Sequence, residues 1–202
     1  MAFIGKTPTP VPIGTNDLAD NIVTVSKLAS TLDLSSNTIT LPSGVGGKVL
    51  QVVQTTKTDT FSTTSTSFTD ITGMSVSITP SATSSKILIL CYLVTSTGSV
   101  DNAGQHVKLL RGSTDILLGD ASSSRTRATL VEVPQLGKNY GTNIVPIIYQ
   151  DSPSTSSATT YKLQCMSQQG SAGFIVNRSG ADDNNAYSGR GASVIMAMEV
   201  AG

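Results

Sequence analysis

The clearest periodicity in the chain lies at residues 74–79, where Met74, Val76 and Ile78 alternate with Ser75, Ser77 and Thr79. Alternation with period 2 places one set on a core face and the other in solvent, which is the mark of a half-buried strand. Residues 86–95 read differently. Ile87, Ile89, Cys91 and Leu93 fall on one side, and Leu88, Leu90, Tyr92 and Val94 on the other. A strand apolar on both sides is expected to be covered on both sides. In a two-layer sandwich this implies a second cover, and a neighbouring subunit supplies it most economically. The same pattern predicts further strands at residues 49–54, 67–71, 105–111, 115–118, 127–133, 143–149, 159–166, 174–177 and 192–200. Gly112-Ser-Thr makes a turn, and residues 79–85, 151–158 and 180–191 read as polar loops. Beyond residue 45 no helical period stands out. Short strands at regular spacing predict an all-β fold, a jelly-roll-like antiparallel β-sandwich over residues 46–202.

Residues 1–45 form a different piece. Lys6-Thr-Pro-Thr-Pro-Val-Pro12 carries three prolines, which lack a donor and fix φ, so an extended stretch is expected there. A weak echo follows at a ten-residue offset, with Leu18-Ala19 returning as Leu28-Ala29. A short helix capped by Asn16 is a competing local reading. Leu32-Asp-Leu34 and Thr38-Ile-Thr-Leu41 alternate around Ser35-Ser36-Asn37, and Pro42-Ser-Gly-Val-Gly-Gly47 marks a boundary. The piece holds too few apolar residues for a core of its own. An extended N-terminal stalk is expected, ordered against other copies or other proteins.

Composition sharpens the picture. Charged residues make up 13% and apolar residues 38%, against roughly 25% and 45–50% (Gly included) in ordinary globular chains. Serine and threonine fill the gap, and both suit strands and turns. With 13 basic and 13 acidic residues the net charge is zero. The chain therefore lacks the basic field that a nucleic-acid partner requires. No apolar run approaches the ~18 residues of a membrane helix, so no membrane insertion is expected. The start Met-Ala-Phe-Ile-Gly-Lys6 has no signal-peptide core, which implies synthesis in a cytoplasm. Cys91 and Cys165 sit in strand-like segments and read as buried free thiols.

Chemistry is thin. His106 is the one histidine, in Gln105-His-Val-Lys-Leu109, and reads as a surface or interface residue. There is no Gly-x-Ser-x-Gly elbow for a nucleophile. Asp182-Asp183 are the adjacent acids, in a loop without the calcium-loop spacing, so neither metal nor cofactor is expected. The better candidate is recognition by loops on a rigid scaffold. Tyr140, Arg178, Asp182, Asp183, Tyr187 and Arg190 are the candidate receptor-binding residues, with Gly189 and Gly191 bending the chain ahead of the last strand.

The segments Asp17-Leu-Ala-Asp-Asn-Ile-Val-Thr24 and Thr31-Leu-Asp-Leu-Ser-Ser-Asn-Thr-Ile-Thr-Leu-Pro42 resemble N-terminal stretches of phage tail-fibre and virion structural proteins of cyanophages and other aquatic bacteriophages. Val52-Val-Gln-Thr-Thr-Lys-Thr-Asp59, Phe68-Thr-Asp-Ile-Thr-Gly73, Ile78-Thr-Pro80, Ser84-Ser-Lys-Ile87, Leu109-Leu-Arg-Gly112 and Asn177-Arg-Ser179 resemble phrases of their C-terminal domains. The resemblance implies a non-enzymatic virion component, a tail fibre or surface spike that aids host attachment. Alternatives are a capsid or neck decoration protein, a small glycan-degrading spike enzyme, and a trimer of the complement or tumour-necrosis-factor type. The expected partners are two further copies in a homotrimer, other virion proteins through residues 1–45, and a host surface glycan or protein.

Overall fold

The computed structural model describes residues 48–98, 104–132 and 140–202. The stalk, the helix and the anchor expected for residues 1–45 lie outside these. The described residues are all β apart from one 3-10 turn at Gly170–Ala172. The strands are β1 (Val49–Lys57), β2 (Phe61–Thr63), β3 (Thr69–Ile78), β4 (Lys86–Ser96), β5 (Gln105–Arg111), β6 (Thr114–Ile116), β7 (Leu130–Glu132), β8 (Asn143–Asp151), β9 (Thr159–Ser167), β10 (Phe174–Val176) and β11 (Ser193–Val200).

They form two antiparallel sheets. In the first, β4 is the spine. Its one edge holds β8 along its length, from Ile87↔Asp151 to Thr95↔Asn143. Its other edge holds β11 over residues 86–92 and β10 at residues 95–96. Outside these lie β1 on β11 and β2 on β10. The second sheet runs β3-β9-β5-β6, with β7 beside β6 on the same edge of β5. Of the longer strands, β1, β4, β8 and β11 belong to the first sheet and β3, β5 and β9 to the second, so the chain crosses between sheets repeatedly.

The inner faces meet as alternation predicts. Ile87, Ile89, Cys91 and Leu93 of β4 pack with Val107 and Leu109 of β5, Tyr161 and Leu163 of β9, Met74 and Val76 of β3, and Ile195 of β11. Each fully buried Ile or Leu contributes about 1.5–3 kcal/mol. Segments 67–71 and 74–79, expected as two strands, join as the single β3. Its register shifts between Asp70 and Ser75, and Gly73 at φ 83 takes the bend.

Polar residues stitch the edges of this core. Glu199 lies on the inner face of β11, fully buried. Its Oε1 accepts the Ser81 N–H (2.7 Å) and the hydroxyls of Ser81 and Ser85 (2.6 Å each), and its Oε2 accepts Gln51 Nε2 (2.6 Å). Burial alone would raise this carboxyl. The bonds from Ser81, Ser85 and Gln51 outweigh it and hold the pKa down at about 2. Asp151 was expected in a loop. It instead ends β8 as a buried residue, taking Arg111 Nη1 at 2.9–3.0 Å and the Tyr161 hydroxyl at 2.7 Å.

The two outer faces differ. The second sheet exposes polar groups there. Asp70 receives Lys162 Nζ and Gln164 Nε2 at 2.8 Å each, and Lys108 pairs with Asp115 at 2.6 Å while lying over the Phe68 ring. The first sheet presents rows of apolar side chains. Leu90 stands between Ile148 and Met196, Tyr92 between Pro146 and Val194, and Leu88 between Gln150 and Met198, with Val52 beyond. Of these, Ile148 is 69% exposed, Val52 49% and Tyr92 46%. The second cover expected over β4 is not supplied by the described residues.

Candidate functional site

The candidate residues gather where β10 ends. Asn177 takes φ 64, the left-handed conformation that asparagine tolerates better than most residues, and turns the chain out of the sheet. Its carbonyl accepts Gly191 N–H at 3.0 Å when the chain returns, and Arg178 bridges to Arg190 across the neck. Residues 178–190 thus form a loop closed at its base, of the compact surface type that often carries recognition.

In and against the loop the six candidates fall into two clusters. In the first, Asp182 lies between two guanidinium groups, with Arg190 Nη2 at 2.6 Å and Arg178 Nε at 3.6 Å. Arg178 also donates to the carbonyls of Ser179 (3.0 Å) and Gly180 (3.4 Å), which fixes its plane. In the second, Asp183 accepts the Ser188 hydroxyl on one oxygen and the Tyr140 hydroxyl, at 3.4 Å, on the other. Asn185 Oδ1 accepts Tyr187 N–H at 3.0 Å, an Asx turn that sets the second ring. The Tyr140 and Tyr187 rings lie 6.1 Å apart at 59°, within the range of favourable tilted aromatic pairs. Tyr187 is 74% exposed. The structure therefore brings Tyr140 against Asp183, 43 positions away in sequence.

The geometry offers a braced aromatic pair with hydrogen-bonding groups beside it. Both acids are engaged within the loop, and among the described residues no group of three metal-ligating side chains occurs. Gly191 does not take a positive φ. A Cβ there would come within 3.0 Å of Val94 Cγ1, so its role is close approach of the loop to β4 rather than a bend.

Among the described residues, concavities flank the sheets at two places. One, of about 550 Å³, is lined by Ser62, Thr63, Thr64, Ser171, Gly173, Ile175 and Arg178, and so adjoins the loop through Arg178. The other, of about 440 Å³, is lined by His106, Ser124, Arg125, Thr126, Val131 and Gln168. His106, expected at the surface or an interface, is buried within the chain, its Nδ1 makes no hydrogen bond, and burial lowers its pKa. Cys91 and Cys165 are free and buried, and burial pushes each thiol up to about 12. Neither is available as a nucleophile at neutral pH.

Sequence reasoning missed Asn177 as the hinge of the loop. It carried a signal, an asparagine closing an apolar run just ahead of a long polar loop. A scan of the sequence against protein-family models gives no match, and a search of curated proteins gives none either.

Proposed function

We propose that this protein is a structural component of a bacteriophage particle, a tail fibre or surface spike that contributes to host attachment and works as a homotrimer without enzymatic activity. The strand order supports a jelly-roll-like reading of the body. One sheet runs β8-β4-β11-β1, the other runs β3-β9-β5, and the chain alternates between them. Residues 1–45 attach the body to other virion proteins.

The observation that carries the reading is the loop at residues 178–190. A stiff two-sheet body holds it closed at its neck, and Tyr140 and Tyr187 remain exposed at its tip. Aromatic rings beside amide and hydroxyl groups suit a surface glycan or a polar protein patch. One such loop binds weakly. Three in a trimer, repeated over a particle, bind by raised effective concentration.

The test is adsorption of particles carrying Tyr140→Ala, Tyr187→Ala and Arg190→Ala together. Adsorption to host cells falls while the protein stays folded and incorporated. Unchanged adsorption moves the reading to a capsid or neck decoration protein. The engagement of Asp182 and Asp183 inside the loop favours that second reading, because it leaves fewer groups free for a receptor.

A further inference from the structure

The outer face of the first sheet is the largest feature that the loop leaves unexplained. Its inward-facing partner positions fill the core, yet the outward positions of β8, β4 and β11 are apolar as well apart from Gln150, and Val52 of β1 extends them while Gln54 and Thr56 border them. A sheet that ends at water alternates apolar inside and polar outside. The second sheet carries Lys162, Asp70, Lys108 and Asp115 on its outside, and Leu110 and Met166 in the same phase are buried within the chain. The first sheet does not follow that alternation.

We infer that this face is the seam between copies of this chain. The inference rests on the oligomeric reading given above and assigns it a surface. Three observations favour a second copy as the occupant. The first is charge. Inside a rim marked by Lys86 at one end and by the Arg178–Asp182–Arg190 cluster at the other, the rows hold no carboxylate, amine or guanidinium. Such a face offers nothing to orient a charged partner, and an equally neutral apolar face matches it. Of the two outer faces described, only this one is such a match.

The second is size. Three strands about 4.8 Å apart and about eight residues long give a plan area on the order of 400 Å². A patch of a few hundred Å² is as large as monomers usually expose, and patches of that size often serve an interaction. Side chains standing above the plan, together with the polar rim, bring the accessible surface toward the roughly 800 Å² per partner of a stable pair. An apolar centre with a polar rim is also the usual anatomy of such a pair.

The third is where the chain enters. Residues 1–47 join the body at Lys48, and the next residues, Val49 and Leu50, are 49% and 48% exposed at the corner of this face. Copies joined through it bring the points at which residues 1–47 enter the body close together.

The full-length chain tests this by sedimentation velocity over a micromolar concentration series. Ile148→Lys with Val52→Lys places charges at two positions that are already exposed in one subunit, so folding is unaffected and is checked by circular dichroism. Ser77→Lys on the outer face of the second sheet is the control. The wild type and the control sediment as a multiple of the chain mass, and the double variant dissociates at a concentration roughly a hundredfold higher. Because Cys91 and Cys165 are buried, a spin label on Gln54→Cys reports this face alone and gives a short distance between copies, whereas a label on Ser77→Cys gives a long one. A folded wild type that is monomeric throughout overturns both the seam and the oligomeric reading. A double variant that stays oligomeric overturns the seam and leaves the oligomer. A twofold mass lost in the double variant supports the seam and removes the trimer.

Discussion

The hydroxyl of Ser193, at the start of β11, donates to Asn177 Oδ1 at 2.6 Å and accepts Val94 N–H at 3.0 Å. The same asparagine donates through Nδ2 to the carbonyls of Lys57 (2.8 Å) and Asp59 (2.9 Å). One buried side chain thus ties the ends of β1, β10 and β11 to the spine β4. It does so from the residue that opens the candidate loop. Removing it leaves several buried backbone and hydroxyl groups without partners, and each such loss costs about 1–3 kcal/mol. Asn177→Ala therefore destabilises by about 3 kcal/mol in urea titration. Asn177→Gly, which relieves the left-handed backbone but loses the same bonds, recovers only a fraction.

Glu199 predicts an acid response. Its carboxyl is held down from 4.5 to about 2 in the folded chain. A group whose folded pKa is depressed adds stability that is complete above its unfolded pKa and is lost as pH falls through the folded one. The urea midpoint therefore drops as pH falls from about 4.5 toward about 2. Asp70, lowered by bonds from Lys162 and Gln164, adds a smaller slope of the same sign because it is exposed. Glu199→Gln flattens the profile in this window and costs about 1–3 kcal/mol at neutral pH, since three donors converge on one of its oxygens.

Asp151 supports a coupling measurement. Tyr161→Phe removes one hydrogen bond to a carboxylate that Arg111 still compensates, and costs about 1.5 kcal/mol. Arg111→Ala leaves the buried acid with the phenol alone and costs about 3 kcal/mol. The double variant costs more than the sum, because the acid then has neither partner. A double-mutant cycle from chemical denaturation reads the difference.

The thiols predict silence. With Cys91 and Cys165 pushed up to about 12 by burial, native protein shows no reaction with a thiol reagent at neutral pH, and unfolded protein shows two reactive groups. Any native reaction faster than global unfolding reveals local opening of β4 or β9.

Much of this fold was legible because period 2 states which way a side chain points. The run Met74, Val76, Ile78 and the doubly apolar run from Ile87 to Val94 are a half-buried strand and the spine of a sheet, as the alternation says. Other elements depend on neighbours that the local pattern does not contain. Phe61–Thr63 is too short and too polar to declare itself, and it is a strand because β10 pairs with it. His106 lies on a strand buried along most of both sides, so neighbours within the chain cover it, which the surface or interface reading did not anticipate. Glu199 did carry a signal. It falls in step with Ser193, Ile195 and Ala197 on the inward phase of β11, where an acid needs partners, but the partners come from a loop more than 100 positions earlier. The six loop candidates were found as polar residues in Gly-bounded segments. Their division into an arginine–aspartate cluster and a tyrosine cluster required the fold.

The position of β11 in the first sheet has a consequence for synthesis on the ribosome. β1 is the first described strand to emerge and β11 the last, yet the two are neighbours along their full length, and Ala201 N–H reaches the Lys48 carbonyl at 2.7 Å. Until residues near 200 leave the exit tunnel, β1 has no ladder partner and β4 lacks one of its own. Pairings this distant in sequence form slowly, because the loop must close before any bond rewards it. The nascent chain therefore waits with β1 unpaired and one edge of the apolar strand β4 open, and this is the interval in which a ribosome-associated chaperone would protect the yield.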